Sequence, residues 1–126
     1  MAHVLIVGIG GFIGSILRYW IGGVVHRWVQ DAFPAETLVV NVLGCFVLGG
    51  VMYLVEYREY FGTETRLFVT IGILGGFTTF STFGYETFAL LRDSEHLQAL
   101  ASISANVLVG TAAVAGGWIA AKAIGI

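Results

Sequence analysis

The chain has 126 residues, 57% of them hydrophobic and only 11% charged, with a formal net charge of −2. So little polar surface could not cover a soluble domain of this length, which points to a single domain embedded in a bilayer. The slightly acidic balance offers no basic patch for a nucleic acid.

Four apolar stretches follow in order, at about 4–25, 38–57, 67–91 and 97–124. Each is near the ~20 residues that cross a ~30 Å hydrocarbon core, so the expected fold is an all-α membrane bundle of four helices. The first opens as "MAHVLIVGIGGF", with no Lys or Arg ahead of the apolar run, and is expected to stay as a helix rather than be cleaved as a signal peptide. Its "GIGGFIG" sets Gly10 and Gly14 four residues apart, the spacing that lets helix backbones approach in lipid. A dinucleotide-binding reading of this stretch fails, because Ile13 stands where the last glycine of G-x-G-x-x-G belongs and no strand precedes it. Arg18 lies in the last third of the stretch beside Tyr19 and Trp20, as a snorkelling arginine in an aromatic belt would.

The second stretch carries Asn41 early and the single cysteine, Cys45, inside an apolar run. A lone cysteine excludes an internal disulfide and reads as a small packed residue. The fourth stretch carries Asn106 and the small residues Gly110, Ala113 and Gly117. His3, His26 and His96 lie in separate segments with no metal-ligand spacing. Lys and Arg normally fix orientation by collecting on the cytoplasmic side. Here Arg58, Arg66 and Lys122 fall on one side, Arg27 and Arg92 on the other, a balance that permits insertion both ways.

The third stretch is the unusual one. "GGFTTFSTFGYETF", residues 75–88, puts Thr78, Thr79, Ser81, Thr82 and Glu86 into an apolar segment. Gly72, Gly75 and Gly76 followed by two threonines make a poor helix interior. Two readings stand. In one the helix is intact, with glycines for packing and threonines bonded to the preceding turn, and composition by itself tips toward this. In the other the helix breaks at mid-membrane and frees carbonyls that protein, water or an ion must satisfy. At about 100° per residue, Phe77, Phe80, Phe83 and Phe88 share one face, and Thr79, Thr82 and Glu86 the other. Glu86 is close enough to the helix end to snorkel; Thr79 and Thr82 are not. Asn41 and Asn106 each have an ordinary use as interhelical hydrogen-bonding groups. Together, two amides, a hydroxyl track, an arginine and a carboxylate in so short a bundle suggest a wet polar pathway.

The run Gly75-Gly76-Phe77-Thr78-Thr79-Phe80-Ser81-Thr82-Phe83 resembles the G-G-x-[ST]-T-F-S-T-F signature of the Fluc (CrcB) family of fluoride channels. "GGFIGSILRYW" with Arg18, "ETLVVNVLGC" with Asn41 and "ETFALL" with Glu86 extend the likeness over essentially the whole chain. The resemblance implies a dual-topology, antiparallel homodimer in a bacterial or archaeal cell (inner) membrane, with the third helix broken and two fluoride pores at the subunit interface. It implies that Phe80 and Phe83 line the pore, that Asn41 faces it, and that Thr79, Ser81 and Thr82 form its polar track. Arg18 and Glu86 would lie at a vestibule, and the backbone carbonyls of Gly75 and Thr78 from both subunits would hold a structural Na+ that is not transported. Asn106 and Gly110 depart from relatives that carry serine or histidine there, so the role of Asn106 is left open. Ring edges carry the positive part of the aromatic quadrupole and can meet a small anion, while hydroxyl and amide donors replace its hydration. HF enters cells and ionises, and a passive pore would let the trapped fluoride leave.

Rival readings are a small dual-topology, proton-coupled multidrug exporter, an assembly protein whose polar stripe only joins helices, and an enzyme. The exporter calls for a carboxylate deep in a helix, whereas Glu86 lies near an end. An enzyme lacks a Ser–His pair, paired carboxylates or a metal cluster, so none is expected.

Overall fold

An apolar segment can enter lipid only if its backbone bonds internally, and this chain does so four times. A computed structural model describes all residues 1–126 and contains helices and short connections only. Four spans are long and apolar enough to cross a membrane: α1 (Ala2–Trp28), α2 (Ala35–Tyr57), a third over Thr63–Arg92, and α5 (His96–Ile124). These spans overrun the apolar stretches by up to four residues. Hydropathy stops at the first polar residues, whereas backbone bonding continues into the interface through groups such as His26, Arg27 and Thr63.

The third span is two helices. Residues 63–77 form α3, which is π-helical over Leu67–Leu74, and Phe80–Arg92 form α4. Between them Thr78 (φ −81, ψ 158) and Thr79 (φ −148, ψ 119) are extended. The intact-helix reading therefore gives way to a break near the middle of the 30-residue span. The break also corrects the helical projection that grouped Phe77 with Phe80. An extended pair separates them, and Phe77 is buried while Phe80 is 82% exposed.

Backbone contact at glycine holds the bundle. A Cβ on Gly10 would sit 2.6 Å from the Phe68 carbonyl, and one on Gly14 would collide with the Ile73 carbonyl, so α1 lies directly on α3. The second seam joins α2 to α5, where Gly49 meets the Val114 carbonyl and Gly117 meets the Phe46 carbonyl. Such closeness gains dispersion energy that lipid does not supply to bulkier surfaces. Only 18 of the 126 residues are buried, and Val4, Phe12, Ile16, Phe46 and many other apolar side chains point outward. That inversion suits a chain whose solvent is hydrocarbon.

One edge is marked by Tyr53, Tyr57 and Trp118, whose rings pack at 5.2–5.6 Å with the Lys122 ammonium over Trp118. An aromatic belt with a snorkelling cation belongs at a membrane–water boundary. At the opposite edge Arg92 forms an exposed ion pair with Asp93 and holds that carboxyl below its ordinary range.

Candidate ion pathway at the helix break

Breaking a helix strands the carbonyls of its last turn and the N–H groups of the next first turn. Side chains take up part of this demand here. Asn41 on α2 accepts the Thr79 N–H on Oδ1 at 2.9 Å and donates from Nδ2 to the Thr79 carbonyl at 3.1 Å. This amide pairs with the extended residue as a neighbouring strand would. Thr79 Oγ1 accepts the Thr82 N–H at 3.3 Å and bonds the Thr82 hydroxyl at 3.0 Å, which caps α4. Thr78 instead bonds its hydroxyl back to the Leu74 carbonyl at 3.0 Å.

These bonds have a consequence for two carbonyls. In a continuous helix the Thr79 N–H would serve the Gly75 carbonyl and the Thr82 N–H would serve Thr78. Both donors are turned away, one onto Asn41 and the other onto the Thr79 hydroxyl. Gly75 and Thr78 are thus two of the residues at the break whose regular donors are held elsewhere by side chains, and carbonyl oxygen suits a hard cation such as Na+. The dipoles add to this. The carbonyl end of α3 favours a cation, and the N-terminus of α4 a few ångströms further on favours an anion.

Two open hollows flank the break. The larger, about 850 Å³, is lined by Arg18, Thr37, Thr79, Thr82 and Glu86 among others, and its rim carries a His26–Glu36 contact of 3.4 Å. The smaller, about 340 Å³, is lined by Asn41, Gly75, Thr78, Phe80, Phe83 and Asn106 among others. Thr79 borders both. The Phe80 and Phe83 rings lie 5.6 Å apart at 54°, and Phe80 projects from the bundle with no wall beyond it in the same chain.

Most of the residues singled out in the sequence therefore converge on the break, but not in one cavity. Arg18, Thr82 and Glu86 lie on one side of Thr79, and Asn41, Phe80, Phe83 and Asn106 on the other. Ser81 is exposed and borders neither hollow. Glu86 does not snorkel: its Oε1 accepts the Thr37 hydroxyl at 2.8 Å, and its Oε2 is buried without a partner in the chain. Two participants escaped the sequence reading. Thr37 stands one turn before Asn41, and Ser102, fully buried, one turn before Asn106. The i, i+4 spacing from each amide was the available signal.

Four apolar spans, a helix broken near its midpoint and a polar cluster at that depth define a multi-pass membrane protein with the parts of an ion-conducting one. The chain belongs to the family described as "CrcB-like protein, Camphor Resistance (CrcB)", which it matches over residues 5–118. It is 52% identical over 124 residues to Fluoride-specific ion channel FluC 1 of Methanosarcina acetivorans, covering 96% of this chain and 92% of that one. It is 50% identical to FluC 3 of Methanosarcina barkeri, over 90% of this chain and 86% of that one. With Fluoride-specific ion channel FluC of Geobacter sulfurreducens it shares 45% identity, over 88% and 92% of the two chains.

Proposed function

We propose that the protein is a fluoride-selective passive channel of a bacterial or archaeal cell membrane. Two copies would pack antiparallel, with two pores at their interface and one structural Na+ at the centre. The observation that carries this reading is the break itself: two carbonyls with diverted donors on one side, and the Phe80–Phe83 pair beside a helix N-terminus on the other. Relatives covering nearly the whole chain are named for fluoride, which fits a site built for a small, strongly hydrated anion.

Two carbonyls from one chain coordinate a cation poorly. A two-fold axis in the membrane plane would bring a second Gly75–Thr78 pair opposite the first and complete a ring of four. The ion would neutralise the negative ends of two α3 helices. The same operation would wall the open side of Phe80 and Phe83, leaving a narrow track edged by rings and threonine hydroxyls. A larger halide would fit poorly and leave donors unmatched.

Purified protein in liposomes should release fluoride rapidly and electrogenically while chloride stays trapped. Equal release of both, or of neither, would sink the reading. The antiparallel assembly has its own test. Several lysines added to the "RDSEH" connection should force one orientation and silence the protein. Coexpression with a copy biased by lysines in "EYREYFGTETR" should restore flux. Full activity of the first lysine variant alone would exclude the antiparallel pair.

A further inference from the structure

Asn41 has two amide hydrogens, and the Thr79 carbonyl uses one. The other goes to Asn106 Oδ1 at 3.0 Å, across from α2 to α5. Asn106 is itself held, because its Nδ2 donates to the Ser102 carbonyl at 2.9 Å on its own helix. That bond fixes which end of the Asn106 amide faces Asn41: nitrogen down toward Ser102, oxygen across. A relay thus runs from the Ser102 carbonyl through two amides to both backbone polar groups of Thr79. Each member has one orientation that satisfies its neighbours; reversing the Asn41 amide sets like against like at three contacts, and reversing that of Asn106 at two. The backbone beneath is unusual too. Ala105–Val109 is a wide π-helical turn with Asn106 inside it, in a helix that is otherwise α-helical on both sides. Wide turns are rare and recur where a side chain's placement matters.

We propose that Asn106 is a positioning residue for the pathway: it orients the Asn41 amide and so holds the extended Thr78–Thr79 backbone open. It acts through Asn41, not by meeting the anion. This rests on the fluoride-channel reading for its consequence in flux, but its structural content is independent of any ion. Without Asn106 Oδ1, one Asn41 hydrogen loses its acceptor in an apolar surround and the amide can turn to find another. Thr79 then loses a fixed partner for its N–H, and the Gly75 carbonyl regains a competitor.

Hydrogen–deuterium exchange of the intact protein in lipid nanodiscs reads the Thr79 amide directly. Asn106→Leu keeps the volume and removes the relay. Exchange at Thr79 should rise about fivefold, the effect of one lost hydrogen bond, while α1 and the glycine seams stay as protected as before. Asn106→Gln keeps an uncharged amide whose oxygen can face Asn41 and should hold Thr79 within about twofold of wild type. Where Asn106→Leu fails to fold, Asn106→Thr takes its place. Its hydroxyl would bond back to the Ser102 carbonyl, as Thr111 does to Val107 at 2.6 Å, and so leave Asn41 unserved. In liposomes, the variant without the relay should conduct less and need more sodium for half-maximal release. An unchanged Thr79, a rise shared equally by all helices, or failure of both Leu and Thr variants to fold would each overturn the proposal. Wild-type protein that releases no fluoride would sink the channel reading and leave the exchange result standing.

Discussion

The two halves of the third span share a chain direction and little else. α3 lies against α1 with glycine on both sides of the contact: a Cβ on Gly72 would come 2.9 Å from the Gly10 Cα, and one on Gly76 would come 2.7 Å from the Gly11 carbonyl. α4 presents Phe80, Tyr85 and Phe88 outward, and a Cβ on Gly84 would meet nothing within 4 Å. One half is clamped by backbone contact and the other is tied mainly by polar side chains at its start, with Thr37 on Glu86 further along. A segment anchored on one side of a break and open on the other suits a shared interface, where the second wall comes from elsewhere.

The sharpest way to break that contrast is Gly72→Val beside Gly84→Ala. The valine has no flexible neighbour to displace, since its obstacles are the backbone of Gly10 and Val7. Its cost should exceed the ~1–3 kcal/mol of ordinary overpacking, and folded protein should be lost from mild detergent on size exclusion. Gly84→Ala should fold as wild type, with an effect within about 1 kcal/mol. A well-folded Gly72→Val protein would mean that α3 is not clamped.

Asn41→Asp comes next and attacks the join between the halves. The carboxylate keeps an acceptor for the Thr79 N–H but turns anionic oxygen on the Thr79 carbonyl and on Asn106 Oδ1. An unpaired charge at this depth costs several kcal/mol, and on the proposed pathway it would repel an anion. Fluoride release from liposomes should nearly vanish; undiminished release would remove Asn41 from the pathway.

Phe80→Ile and Phe83→Ile test the open half alone. Isoleucine keeps the apolar bulk and deletes the ring edge. Losing ~1 kcal/mol of edge attraction corresponds to roughly fivefold slower release, with assembly preserved. Wild-type flux in both would make the stripe packing alone.

How much of this could be read from residues follows the same divide. The four spans were legible because apolar length is a strong signal, and the Gly10–Gly14 pair because small residues four apart mark a close contact. The break was not legible from composition, since glycines and threonines fit a packed helix as well as an interrupted one. What decides it is Asn41, which lies 38 positions away in sequence and supplies a strand-like partner for Thr79. Glu86 misled for a related reason. Its distance from the helix end permits snorkelling, but Thr37 on a neighbouring helix draws it inward. Phe77 left its stripe because helical geometry does not run through two extended residues.

The smallest expected effect is also the most specific. In Thr79→Ala the backbone pairing with Asn41 is untouched, because that pairing uses only the Thr79 N–H and carbonyl. What is lost is the cap on α4, worth about 1 kcal/mol in stability. The freed Thr82 N–H then lacks its acceptor, and the nearest regular one is the Thr78 carbonyl, its i−4 partner in a continuous helix. A carbonyl that accepts this hydrogen is a weaker ligand for a cation. Thr79→Ala should therefore fold, conduct, and need a few-fold more sodium for half-maximal fluoride release, since ~1 kcal/mol shifts an equilibrium about fivefold. Thr79→Ser, which keeps the hydroxyl, should restore the wild-type sodium dependence. A sodium requirement identical in wild type and Thr79→Ala, with the fold intact in both, would show that the Thr78 carbonyl is not a ligand.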